Sequence, residues 1–157
     1  MRRRDREINE FDSIIEIIKK CDVCSIAFYD DEYPYVIPLN FGFLSTGEKL
    51  TLYFHGAKNG KKIDLLKKND KVAFEMNCSH KLVLGDRACD ATMGYESVCG
   101  NGSMQHVSGE EKEVALNVLM RQYTGQEKHV FDEKEVEAVT VLKIEVHEIH
   151  GKLNFKN

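Results

Sequence analysis

The chain has 157 residues, 42% apolar and 31% charged, which suits one packed domain over 1–157 and hardly leaves room for two. Its 22 Lys and Arg against 26 Asp and Glu give a formal net charge of −4, which argues against a general nucleic-acid binder. No apolar run approaches the roughly 20 residues that span a bilayer, and no apolar stretch follows the basic start Met1-Arg2-Arg3-Arg4-Asp5, so neither a membrane span nor a secretory signal is expected.

The first element reads as a helix, because Ile8, Phe11, Ile14, Ile15 and Ile18 recur at spacings of three and four. Lys19 and Lys20 close it, where cations suit the helix dipole. Val23 to Tyr29 is a strand, and Asp30-Asp31-Glu32 is its hairpin turn. Tyr33 to Leu44 reads as a second strand, interrupted by Pro34 and Pro38, the only prolines of the chain. Proline cannot donate to a sheet ladder, so this strand is expected where its N–H groups face something other than a neighbour.

Ser45 to Glu48 turns the chain into Leu50 to His55, with Leu50, Leu52 and Phe54 on one face and Thr51, Tyr53 and His55 on the other. Lys61 to Lys68 predicts a short amphipathic helix through Ile63, Leu65 and Leu66. Lys71 to Met76 is a strand, and Asn77 to Met93 reads as irregular. Gly94 to Val107 is a long strand whose Gly100 and Gly102 mark a bulge or a close approach. Ser108-Gly109-Glu110-Glu111 reads as a capping box opening a helix that Gly125 closes. Gln126 to Glu135 is a loop, and Glu137 to Ile149 is the last strand. Six strands with three marginal helices, joined by short turns, predict an antiparallel sheet or small barrel.

The chemistry-bearing residues are sparse. Gly56 to Lys62 lacks the spacing and the hydroxyl of a nucleotide-triphosphatase loop, but it joins a flexible glycine loop, a helix start and two lysines. It is either a phosphate site or a solvated turn. Cys21 and Cys24 have no second Cys-x-x-Cys to complete a zinc site and read as packed thiols. Five cysteines without an export signal suggest the reduced thiols of a cytoplasmic protein. Cys78, His80, Cys89 and Cys99 match no regular metal pattern, so no metal is expected. His147 and His150, three apart on a strand, are placed on opposite faces.

Four ordered blocks carry a resemblance. Pro34-Tyr35-Val36-Ile37-Pro38-Leu39-Asn40-Phe41-Gly42, Leu52-Tyr53-Phe54-His55-Gly56-Ala57, Gly60-Lys61-Lys62 and Tyr95-Glu96-Ser97-Val98-Cys99-Gly100-Asn101-Gly102 resemble the Nim family of 5-nitroimidazole resistance proteins, relatives of pyridoxamine 5′-phosphate oxidase. The opening Met1 to Ile8 and the closing Gly151-Lys152 are similar to that family too.

The resemblance implies a mainly β fold, a six-stranded antiparallel split β-barrel with flanking helices. It also implies a homodimer that binds a flavin, FMN or alternatively FAD, at the interface. The segment Val36, Ile37, Pro38, Leu39, Asn40 and Phe41 would lie along the flavin ring, with Tyr53, Phe54 and His55 as the neighbouring wall. Lys61 and Lys62 would meet the phosphate, while Ser97, Val98 and Gly100 would come from the other subunit. His55 would orient a small-molecule substrate or supply a proton. The activity implied is flavin-dependent oxidoreduction, with nitroimidazoles as candidate substrates. A non-catalytic carrier or sensor of flavin, or of haem through His55, His80 or His106, is the alternative.

Overall fold

The computed structural model describes residues 3–154, so Met1 and Arg2 of the opening block lie outside the described residues. A two-residue strand β1 (Glu7–Ile8) precedes helix α1 (Phe11–Lys20). Strands β2 (Cys24–Phe28), β3 (Tyr35–Leu39), β4 (Gly42–Thr46) and β5 (Lys49–Gly56) follow, then helix α2 (Lys61–Lys68). Two long strands, β6 (Lys71–Val83) and β7 (Thr92–Val107), lead to α3 (Glu110–Thr124), a short α4 (Glu133–Ala138) and β8 (Thr140–Asn154). One antiparallel sheet runs β3-β2-β6-β7-β8-β5-β4, with β1 added against β8. The sheet is curved as a split barrel and is not closed into a ring, since β3 and β4 end the hydrogen-bonded path.

Eight strands replace the six expected, for two reasons. The segment Tyr33 to Leu44 is two strands, because the chain leaves the sheet at Asn40-Phe41 to bury Phe41 completely. Ile8 belongs to β1, not to the first helix. The segment Asn77 to Val83 is strand rather than irregular chain, continuing β6 as a ribbon paired with β7 past a bulge between Cys78 and Lys81.

The core is one apolar layer inside the curve. Ile14, Ile15, Ile17 and Ile18 of α1 pack against Ile26, Phe28, Leu52, Phe54, Phe74, Met76, Val98 and Ile144. Each such side chain contributes about 1.5–3 kcal/mol by leaving water. The other face of β5 and β8 is covered by α3, where Tyr53 and Val141 meet Ala115, Leu116 and Val118.

Gly100 and Gly102 of β7 serve close approach. A Cβ at Gly100 would strike the Phe74 ring and the Glu148 carbonyl, and one at Gly102 the Glu145 carbonyl. The register of β7 against β8 shifts between Asn101 and Gly102, leaving His147 as the extra residue. That bulge explains the imperfect alternation of β8. Ile144 and Val146 precede it and Ile149 follows it, yet all three join the same core. The parity of the strand flips, so His147 and His150 share the outer face instead of opposing one another.

The capping box does not form. Gly109, at φ 63°, is the residue before α3, and no side chain caps that end. Its left-handed turn takes Ser108 out of position. At the other end Gly125 does close the helix, at φ 70° with its N–H on the Arg121 carbonyl.

Candidate functional site

β3 is a sheet edge, paired among the described residues with β2 alone. A residue without an N–H fits such an edge where the N–H would point away from the sheet. Pro38, opposite Ser25, takes that position, and the two-residue period gives Val36 the same outward backbone. Side chains alternate likewise. Tyr35, Ile37 and Leu39 turn to the core, while Val36 and Pro38 stand outside, Val36 with 58% of its surface exposed.

The start of β3 meets the start of α2. Lys61 Nζ bonds Asp30 Oδ2 at 2.5 Å and lies over the Tyr35 ring, 5.1 Å from its centre. The Asp30 carboxylate raises the pKa of the Lys61 ammonium, and Lys61 in turn lowers that of Asp30. Lys62 Nζ comes to the open side of Gly56, 3.0 Å from where a Cβ would stand. Gly60, the residue before α2, offers no side-chain cap, and its carbonyl takes the Ile63 N–H, which leaves the Lys61 and Lys62 N–H groups to meet an anion.

Beside this corner lies a concavity of about 610 Å³, floored by Ala27, Ala73 and Asn101 and rimmed by Asp30, Pro34, Lys71 and His147. Its floor is flat because Ala27, Ala73 and Asn101 are consecutive cross-strand partners with short side chains. Asp30, Asn101 and His147 were not legible as site residues. Asp30 reads as turn chemistry, and His147 reaches the rim only through a bulge that depends on strand pairing.

Other predicted residues are committed elsewhere. Asn40 Nδ2 donates to the Asp22 carbonyl and the Tyr123 hydroxyl, both at 3.2 Å. The Phe41 ring is in the core, as are Phe54 and Val98, all at 0% exposure. The Tyr53 hydroxyl donates to Glu111 at 3.2 Å; burial, with the Glu111 charge, pushes its pKa up to about 12. His55 lines a separate apolar cavity of about 190 Å³ with Leu116, Leu119, Phe131 and Val136, between β5, α3 and α4. Ser97, Val98 and Gly100 lie on β7, three strand spacings from β3, roughly 14 Å within one chain. His80 sits at the opposite end of the sheet from His55 and His106. Among the described residues no three His, Cys, Asp or Glu side chains gather as metal ligands, and no helix is long and apolar enough to cross a membrane.

An outward-facing edge strand beside an uncapped helix start and two lysines fits a flat ligand that carries a phosphate. The pyridoxamine 5′-phosphate oxidase family profile matches residues 10–153. The chain belongs to the pyridoxamine 5′-phosphate oxidase family.

No curated protein matches the sequence at a significant level. Solved structures do. A putative 5-nitroimidazole antibiotic resistance protein from Bacteroides thetaiotaomicron is 34% identical, with a TM-score of 0.81 over 94% of this chain and 86% of that one. The FAD and heme binding protein from Mycobacterium smegmatis superimposes with a TM-score of 0.83 at 17% identity, over 96% of this chain and 74% of that one. The flavocytochrome Anf3 from Azotobacter vinelandii gives 0.81 at 19% identity, over 99% and 72%. The last two likenesses show the fold that this member of the oxidase family shares with them.

Proposed function

We propose that the protein binds FMN in a cleft completed by a second copy of itself and passes electrons from that flavin to small molecules, nitroaromatics among them. The observation that carries this is the corner where β3, with its outward backbone at Val36 and Pro38, meets Lys61 and Lys62 at the uncapped start of α2. Two ammoniums and a helix start suit a single terminal phosphate, hence FMN rather than FAD. The nitroaromatic substrate class rests on the 34% identical relative.

When bound, the flavin supplies two-electron chemistry. This chain's residues do the rest. Val36, whose N–H and carbonyl point outward, and Pro38, through its carbonyl alone, would hold the hydrogen-bonding rim of the ring. Lys61, beside Asp30, and Lys62, beside Gly56, would hold the phosphate. Ser97, Val98 and Gly100 are too far along the sheet to reach β3 of their own chain, and in the proposed dimer they would face the β3 of the second copy. Val98 and Gly100 then act through backbone groups, since the Val98 side chain is spent in the core. His55 stands exposed at the end of β5, where it holds a proton for substrate.

The test is the purified protein. It should be yellow, carry one FMN per chain and run as a dimer. A colourless protein that takes up neither FMN nor FAD on titration overturns flavin binding. Anaerobic mixing of the reduced holoprotein with a nitroimidazole should reoxidise it rapidly. Failure to reoxidise leaves a flavin binder and removes the enzyme.

A further inference from the structure

A second cluster of reactive groups lies far from the β3 corner, where the end of α1 crosses β6 and β7. Cys21 Sγ donates to the Ile17 carbonyl oxygen at 3.4 Å, and Cys78 Sγ donates to the same oxygen at 3.9 Å. The two thiols are therefore neighbours across one shared acceptor, although 57 positions separate them. Their environments differ. Cys21 is 3% exposed, while Cys78 is only half-buried at the bulge where β6 leaves the body of the sheet.

Cys78 also has a base. Its Sγ lies 3.7 Å from Glu96 Oε2, and Glu96 is itself buried. Lys20 Nζ binds that carboxylate at 2.8 and 3.0 Å and adds a positive charge that Cys78 feels. The Ser79 hydroxyl donates to the same carboxylate oxygen, from a backbone held at φ 58°. A half-buried thiol near an ammonium, with a second thiol at the same acceptor, is open to oxidation by a peroxide and to resolution as a disulfide.

We propose that Cys78 and Cys21 are a peroxide-reactive pair, with Cys78 the attacking thiol, Cys21 the resolving thiol and Glu96 the base. Glu96 takes the Cys78 proton, and the Cys78 sulfur attacks one oxygen of hydrogen peroxide. The O–O bond breaks, Cys78 becomes a sulfenic acid, and the leaving oxygen collects the proton from Glu96 to depart as water. The Cys21 sulfur then attacks the Cys78 sulfur. The S–O bond breaks, a second water leaves with the Cys21 proton, and the disulfide ties α1 to β6. Two thiols give up two electrons, and one peroxide becomes two waters. Peroxide reaches Cys78 first because Cys21 has almost no exposed surface.

The experiment uses the full chain with Cys89→Ser and Cys99→Ser, which removes the two exposed thiols and leaves three. Equimolar hydrogen peroxide should lower the free thiols from three to one and the mass by two hydrogens. A digest should give a Cys21–Cys78 cross-linked peptide that dithiothreitol separates. A pair involving Cys24, or sulfinic acid at Cys78 with Cys21 still free, or no reaction in the folded protein, overturns the proposal. Cys21→Ser should instead accumulate a dimedone-trapped sulfenic acid at Cys78. Glu96→Gln should slow the reaction by at least ~100-fold if the carboxylate is the base. The peroxide rate of the chain carrying Cys89→Ser and Cys99→Ser should rise with pH through the range in which Glu96 ionises; a flat profile there rejects the base.

Discussion

The Tyr123 hydroxyl donates to the Asp22 carbonyl at 2.8 Å, joining the end of α3 to the turn before β2 across 101 positions of chain. The same oxygen accepts from the Phe41 N–H at 2.9 Å and from Asn40 Nδ2 at 3.2 Å. One hydroxyl thus uses its donor and both lone pairs, and it does so at the corner where β3 gives way to β4. Tyr123→Phe should cost about 1–2 kcal/mol and lower Tm by roughly 2–8 °C, because Phe41 N–H loses its partner. Thermal unfolding checks this, and an unchanged Tm would show that water replaces the hydroxyl.

Lys61→Ala together with Lys62→Ala should weaken FMN by about 100-fold and leave riboflavin within about twofold, the difference being charge-assisted bonds to the phosphate. Fluorescence titration of the apoprotein with each ligand separates the two. Equal weakening of both would place the phosphate elsewhere.

His55→Ala should keep FMN affinity within about twofold and slow nitroimidazole turnover by at least ~10-fold, the size expected of a lost proton donor. Steady-state kinetics with the reconstituted holoprotein decides. If turnover is unchanged, His55 serves only the apolar cavity it lines with α3 and α4.

The Glu96 carboxylate predicts an acid-sensitive fold. Burial opposes its charge, but the Lys20 ammonium and the Ser79 hydroxyl outweigh that and lower its pKa. A carboxylate with a lowered folded pKa stabilises the fold above its unfolded value, and that contribution is lost as pH falls through the folded one. As pH falls below the ordinary glutamate range the unsubstituted protein should lose stability more steeply than Glu96→Gln, as read by urea unfolding at each pH. Parallel curves would mean that the pair adds nothing.

Much of this was legible. Ile63, Leu65 and Leu66 place α2 at Lys61–Lys68 with its apolar side inward, and that is where the helix stands. The two prolines mark an edge, and β3 is one. The outer half of β6 escaped because a two-stranded ribbon has no layer to cover it. Asn77, Ser79, His80 and Lys81 therefore carry none of the apolar alternation by which strands are read. Ser108 satisfies the capping pattern by composition, but the turn at Gly109 decides the helix start. The candidate site was legible only in blocks. The distance between β3 and β7, which keeps Ser97 and Gly100 from their own chain's corner, is a property of strand order and has no local trace.

The open edge at β3 carries a hazard of its own. Free N–H and carbonyl groups along a strand invite any other strand to dock there, and chains that do so in series grow into aggregates. Pro38 withholds one donor in the middle of that edge, and Pro34 stands at its entrance. The two prolines of the chain thus guard the strand against polymerisation while Val36 keeps its backbone free for a ligand.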